Sequence, residues 1–286
     1  MDTKFQLFLI MPAMDSKTDY QDMFAKLNLW LWGVPVFSLV SMLVLYFSGE
    51  NTALFMFMNA GMVYLGDAFW SHITILGDTV IAFMFILPFV HRRPEVIWRF
   101  LLAAIIAGLA VYLLKNPDVL RPPAMLEPGS FHLIGPALRH VSFPSGHTTT
   151  AFLVAGYFCM QAIPAWLKMF ILLLAVGAGL SRIACGIHWP MDVLGGMLFG
   201  WLSAGAGIWL GKRWKAGLNI WFQRFIAILL TSAAIWASLK YNNGYPGTEV
   251  MQWIIITVCL ALSAPGQFRL FSKLAGNHHA SKREAQ

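Results

Sequence analysis

The fold class this sequence predicts is an all-α, polytopic membrane helix bundle: a six-helix core that carries the chemistry, followed by two C-terminal transmembrane helices. Three observations lead there. Of the 286 residues, 58% are hydrophobic and 12% are charged, about half the charged share of an ordinary soluble domain. Eight apolar runs each approach the roughly 20 residues that a spanning helix requires. Lys and Arg, finally, are distributed unevenly among the loops between those runs, as they are where basic residues stay on the cytoplasmic side.

Taken in order, Met1 to Met14 holds a short apolar run, but Asp2 spoils the basic leader of a signal peptide, so an amphipathic or interfacial entry is expected. Trp30 to Phe47 is the first expected span. Ala53 to Trp70 contains Asn59, Gly61, Gly66 and Asp67 and is expected not to span. Ile73 to Val90 is the second span, with Pro88 kinking its inner end. Val96 to Leu114, Thr148 to Ile163, Trp166 to Leu180 and Met191 to Leu210 complete the motif-bearing core, and Phe225 to Leu239 and Val250 to Ala264 are the two added spans. The expected divisions are therefore 1–95, 96–211 and 212–286, the last ending in a basic cytoplasmic tail.

Fifteen of the 20 Lys and Arg fall on one side of this arrangement, leaving only Lys115, Arg121, Arg139, Arg182 and Lys240 on the other. The formal charge of +7 thus reads as a collar beside anionic lipid rather than a surface for nucleic acid. Cys159, Cys185 and Cys259 lack metal-ligand spacing and read as small core residues. Most of the twelve Trp lie near segment ends, where interfacial anchors belong. Gly196 and Gly200, one helical turn apart, suit close helix packing.

Counting crossings brings three separated stretches to one membrane face: Lys115 to Arg121 leaving one helix, Pro144-Ser145-Gly146-His147 opening the next, and Ser181-Arg182 with His188 and Asp192 between a further pair. A lone histidine at a membrane edge is usually structural; two of them beside stranded basic residues suggest phosphoryl transfer. That reaction requires positive, preorganised donors around the phosphorus more than covalent assistance. Lys115, Arg121 and Arg182 can supply the field. The backbone N–H groups of Ser145 and Gly146 lead into a helix whose dipole favours an anion. His188 and Asp192 are four apart with Pro190 at the helix start, so the carboxylate can reach one imidazole nitrogen and leave the other free to attack. His147, opening a different helix, can protonate the departing oxygen.

These residues resemble the three-part signature of the type 2 phosphatidic acid phosphatase superfamily, over about Val96 to Leu210. Two parts match fully, at 144–147 and 181–192; in the first, Lys115 precedes Arg121-Pro122 by one residue fewer than the family spacing, a shift that a flexible lysine absorbs. The resemblance implies a phosphohistidine at His188 oriented by Asp192, with His147 as general acid. It implies that Lys115, Arg121, Ser145, Gly146 and Arg182 hold the phosphoryl oxygens, with no metal and no cofactor.

The expected activity is hydrolysis of a lipid phosphomonoester or pyrophosphate: undecaprenyl pyrophosphate, phosphatidylglycerol phosphate, phosphatidate or a lipid A phosphate. The partners are this lipid and the bilayer, at the outer face of a bacterial inner membrane. Rival readings are a lipid-to-lipid phosphotransferase and a non-catalytic lipid-binding or transport protein. Arg139 and His140 can contact a headgroup or simply solvate a loop. Asp78, costly inside lipid, is either functional or a cap or ion pair near the outer surface; His132 reads as a loop residue.

Overall fold

The computed structural model describes residues 28–90 and 92–283, with side chains from Trp30 to Phe268 apart from residue 91. The expected interfacial entry at Met1 to Met14 and the basic Lys4, Lys17 and Lys26 lie outside the described residues. Among these the chain is helical, without strands: α1 (Asn28–Ser48), α2 (Asn51–Met62), α3 (Asp67–Thr74), α4 (Thr79–Met84), α5 (Pro94–Leu114), a single turn α6 (Pro122–Met125), α7 (Gly146–Cys159), α8 (Ala165–Ala184), α9 (Pro190–Arg213), α10 (Ile220–Lys240) and α11 (Glu249–Arg283). Starts follow local chemistry. Pro94 and Pro190 occupy first-turn positions where a missing N–H costs nothing. The Asn219 side chain accepts from the Trp221 N–H at 2.8 Å to cap α10.

Helices α1, α5, α8, α9 and α10 and the first 20 residues of α11 are long and apolar enough to cross a membrane. Their outward faces carry exposed Phe47, Tyr112, Trp236 and Leu239, which suits a bilayer solvent better than water. The molecule is thus an all-helical membrane bundle.

Two of the eight expected spans are not continuous helices of the expected length. Ile73 to Val90 is broken: the pieces 67–77 and 79–89 meet at 55°. Asp78 is extended there, and its Oδ1 accepts from the N–H groups of Val80 at 2.9 Å and Ile81 at 3.2 Å, capping a new helix. A hydropathy sum cannot register that carboxylate as a break. The broken segment still runs the length of α7, since Gly77 abuts His147 at its start and the rings of Phe89 and Phe158 lie 5.9 Å apart near its end. The second departure is α7 itself, which ends at Cys159 instead of Ile163. At 1.5 Å per residue its 14 residues reach about 21 Å, short of a full span.

Ala53 to Trp70 forms no spanning helix among the described residues. Asn51 Oδ1 accepts from the Met191 N–H at 3.1 Å, and Asn59 Nδ2 donates to the carbonyls of Ile183 at 2.9 Å and Ala184 at 3.2 Å. All three partners lie at the α8–α9 turn, so α2 crosses the end of the bundle instead of passing through it. Between the two asparagines, Phe55 packs on Trp189 with ring centroids 5.1 Å apart.

The site depends most on the pairing of α7 with α9. A Cβ at Gly200 would come within 2.3 Å of the Thr149 carbonyl oxygen, and one at Gly196 within 2.7 Å of Thr148 Cβ. Two missing side chains, one turn apart, therefore bring the backbones together. Both helices begin at the same end, where the Ser145 N–H donates to the Asp192 carbonyl at 3.0 Å. The C-terminal pair joins the same core: Ile226, Ala234 and Ile256 cluster with Ile81, Met84 and Ile86 of the broken span.

Candidate active site

His188 lies in the turn between α8 and α9, and both of its ring nitrogens are engaged. Nδ1 is 3.1 Å from Asp192 Oδ2, and Nε2 is 2.9 Å from Arg121 Nη1. A carboxylate oxygen only accepts and a guanidinium only donates, so the tautomer follows: Nδ1 carries the proton and Nε2 the lone pair. Asp192 Oδ2 also accepts from the Ser142 hydroxyl at 2.5 Å and from the Trp189 N–H at 2.8 Å. One carboxylate therefore caps α9 and orients the histidine. The residues involved are buried, with His188 and Asp192 each 2% exposed. Burial pushes the His188 imidazole down to about 4, against the opposing pull of Asp192.

Arg121 is gripped by backbone carbonyls. Its Nε donates to His140 O at 2.7 Å, Nη2 to Val141 O at 3.2 Å and Nη1 to Ile187 O at 3.2 Å. Lys115 Nζ donates to the same Val141 carbonyl at 3.1 Å. The two basic groups of the shortened motif thus converge on one oxygen. Val141 presents it from a left-handed backbone, φ 60°, a conformation that costs a β-branched residue about 1–3 kcal/mol. Burial first and Arg121 second hold the Lys115 ammonium below the usual lysine range, with Asp192 opposing.

His147, the second residue of α7, lies within electrostatic reach of Arg182, His188, Arg121 and Lys115. Among the described residues no hydrogen bond engages its ring, so both nitrogens are available to a substrate. Arg182, at the end of α8, donates through Nη1 to Thr74 Oγ1 at 2.6 Å and to Tyr245 Oη at 2.8 Å; its Nε is buried without a partner.

Local contacts define what the other candidate residues do. The Ser145 side chain caps α7, accepting from the Thr148 N–H at 3.4 Å and from its hydroxyl at 2.9 Å, and its own N–H donates to the Asp192 carbonyl. This leaves Gly146 as the amide of the pair outside that bond. Arg139 and His140 have exposed side chains; what they bring to the site is carbonyls, which accept from Arg121 N–H and Nε–H. Asp78 takes the capping alternative: it caps α4 and accepts from the Tyr241 hydroxyl. His132 lies in a loop, as expected, and there pairs with Asp67 at 2.7 Å and with Asn59 through its N–H at 2.7 Å.

Sequence reasoning missed Ser142, Thr74 and Tyr245. Ser142 sits just ahead of the second motif and carries no signal of its own. Thr74 and Tyr245 reach Arg182 from 108 and 63 residues away in the chain.

Comparison with known proteins places the chain among membrane phosphatases by similarity. An undecaprenyl-diphosphatase of Sulfolobus acidocaldarius is 30% identical over 105 residues, 36% of this chain and 48% of that protein. A lipid A 1-phosphatase of Rhizobium etli is 36% identical over 110 residues, 35% of this chain and 44% of that protein. The chain thus spans about half the length of the curated relatives it matches. The crystal structure of Aquifex aeolicus LpxE superposes with a TM-score of 0.50 at 30% identity, over 55% of this chain and 94% of that one. Residues 96–216 match the PAP2 superfamily, a stretch that begins in α5 and contains both histidines, Arg121, Arg182 and Asp192. The chain belongs to that superfamily.

Proposed function

We propose that this protein is a membrane lipid phosphatase that hydrolyses a lipid phosphomonoester or pyrophosphate through a phosphohistidine. The observation that carries the reading is His188 Nε2, held as a lone pair by Asp192 on one side of the ring and facing Arg121 on the other. In the first step the Nε2 lone pair attacks phosphorus, the P–O bond to the lipid breaks, and the departing oxygen takes a proton from His147. In the second, water attacks the phosphohistidine, His147 takes the water proton, and inorganic phosphate leaves with His188 restored. Arg121 moves from Nε2 to a phosphoryl oxygen as substrate enters. Arg182 and the Gly146 N–H take the remaining oxygens, with Lys115 behind them. No step requires a metal, so a chelator leaves turnover unchanged.

Hydrolysis at the end of a helix bundle lets an acyl or prenyl tail stay in the bilayer while the phosphate meets the histidines. The distribution of basic residues supports placing that end on the non-cytoplasmic face of a bacterial inner membrane. The relatives' names favour undecaprenyl diphosphate and lipid A 1-phosphate over phosphatidate and phosphatidylglycerol phosphate.

The test is phosphate release from purified protein offered these four lipids one at a time, with His188→Ala as control. Release from one or two of them, abolished in the variant, is expected. No release from any, or undiminished release by the variant, refutes the reading. Transfer of the phosphoryl group that depends on a second lipid, with no inorganic phosphate formed, would identify a phosphotransferase instead.

A further inference from the structure

We propose that Tyr245, in the loop joining α10 to α11, is a positioning residue for Arg182, making the C-terminal helix pair part of the phosphate site. The proposal rests on the reading of Arg182 as a phosphoryl-oxygen ligand. The loop lies beyond residues 96–216, where the superfamily match ends.

The guanidinium has two kinds of edge here. Nη1 is committed to Thr74 Oγ1 and Tyr245 Oη, while Nε is buried with no partner. A buried guanidinium N–H left unpaired is costly, and a tetrahedral oxyanion is the ligand whose geometry the remaining edge fits. Tethering Nη1 from two sides fixes the plane of the fork before any substrate arrives. Such preorganisation spares the binding step the ordering of a flexible side chain.

Tyr245 is built for that duty. It is 3% exposed, and burial pushes its phenol up, with Arg182 opposing, so the hydroxyl stays neutral and can accept from the arginine. The loop is also pinned internally: Asn243 Oδ1 accepts from the Tyr245 N–H at 2.8 Å, and the Thr248 hydroxyl donates to the Tyr245 carbonyl at 2.7 Å. Gln252 Nε2 donates to the Tyr241 carbonyl at 3.0 Å. A second tether fixes the loop's register, because the Tyr241 hydroxyl donates to Asp78, next to Gly77, on which the His147 backbone rests. The C-terminal pair therefore touches the scaffold behind both the arginine and the proposed acid.

The variant Tyr245→Phe removes only the hydroxyl and keeps the ring in its packing with Trp70, Ile134 and Ile187. Its inhibition constant for inorganic phosphate should rise about 5- to 10-fold, and kcat/KM should fall by a similar factor, both read at a temperature where melting curves in detergent show wild type and variant fully folded. In an Arg182→Lys background, where no fork remains to be oriented, the same change should have no further effect. Unchanged phosphate inhibition in Tyr245→Phe overturns the proposal, as does a full additional loss in the lysine background. If the wild type hydrolyses no lipid, direct binding of inorganic phosphate by calorimetry still compares the two proteins. Arg182→Ala that binds phosphate as the wild type does would refute the ligand reading itself.

Discussion

Nη1 of Arg121 stands 2.9 Å from Nε2 of His188, the ring nitrogen that Asp192 leaves unprotonated. In the proposed mechanism this cation covers the lone pair that attacks phosphorus until a phosphate offers it better acceptors. Replacing Arg121 with Ala should lower kcat/KM about 10²- to 10³-fold, the usual loss for one transition-state donor. Lysine should recover little of that, since the side chain is held through Nε, Nη1 and Nη2 together. Rates of phosphate release by the two variants check this.

Asp192→Asn keeps the shape of the carboxylate but can present an NH₂ group toward Nδ1, which favours the wrong tautomer. A fall in kcat of about 10³- to 10⁴-fold is expected. Ser142→Ala removes one of three donors to Oδ2 and should cost about 1 kcal/mol, a factor of roughly five in rate. Parallel melting curves separate the rate effects from unfolding.

His147→Ala should slow both departure of the lipid oxygen and activation of water. With a leaving group that departs without protonation, such as p-nitrophenolate, the first step is largely spared. A ³²P-labelled phosphoenzyme should then accumulate in His147→Ala and be missing in His188→Ala. Label retained in the latter would show that another residue is the nucleophile.

The pH profile tests the environment of His188. Its folded value of about 4 lies below the unfolded value of roughly 6.5, so the imidazole stays neutral down to about pH 4. The acid limb attributable to it in kcat/KM should fall near pH 4. The sign for stability follows from the same shift: the unfolded chain binds more protons between those values, so this contribution is fully present above about 6.5 and is lost as pH falls toward 4. Because Asp192 raises the value, Asp192→Asn should move the limb to still lower pH; a move upward would contradict the assignment.

Gly200 and Gly61 form a matched pair for packing. A methyl at Gly200 would meet the Thr149 carbonyl at 2.3 Å, whereas one at Gly61 meets nothing within 4 Å. Gly200→Ala should destabilise by about 1–3 kcal/mol and depress activity with it, because the α7–α9 contact brings His147 and His188 together. Gly61→Ala, within a helix, should be neutral or stabilising by up to about 1 kcal/mol. Thermal melts in detergent compare them.

Much of this site is legible in sequence because its central relationships are local. His188 and Asp192 are one helical turn apart, Pro190 announces the helix start, and Ser145 caps the helix that His147 opens; spacing alone implies such geometry. Ser142, Thr74 and Tyr245 were invisible for the opposite reason. A serine, a threonine and a tyrosine acquire their roles only from partners 50, 108 and 63 residues away. The break at Asp78 was hidden differently: hydropathy averages over a window, while one extended residue with a capping carboxylate turns the chain.

The sequence by itself determined that the chain is a helical membrane bundle and which motifs meet at one end of it. Hydrophobic run length, loop charge and local spacing are properties that neighbouring residues already contain. Only the tertiary structure decided that the second span is bent, that the Ser145 N–H is spent on Asp192, that Arg121 faces the histidine lone pair, and that Tyr245 steadies Arg182. These follow from helix approach and burial, in which each buried donor must find an acceptor wherever the folded chain brings one within about 3 Å.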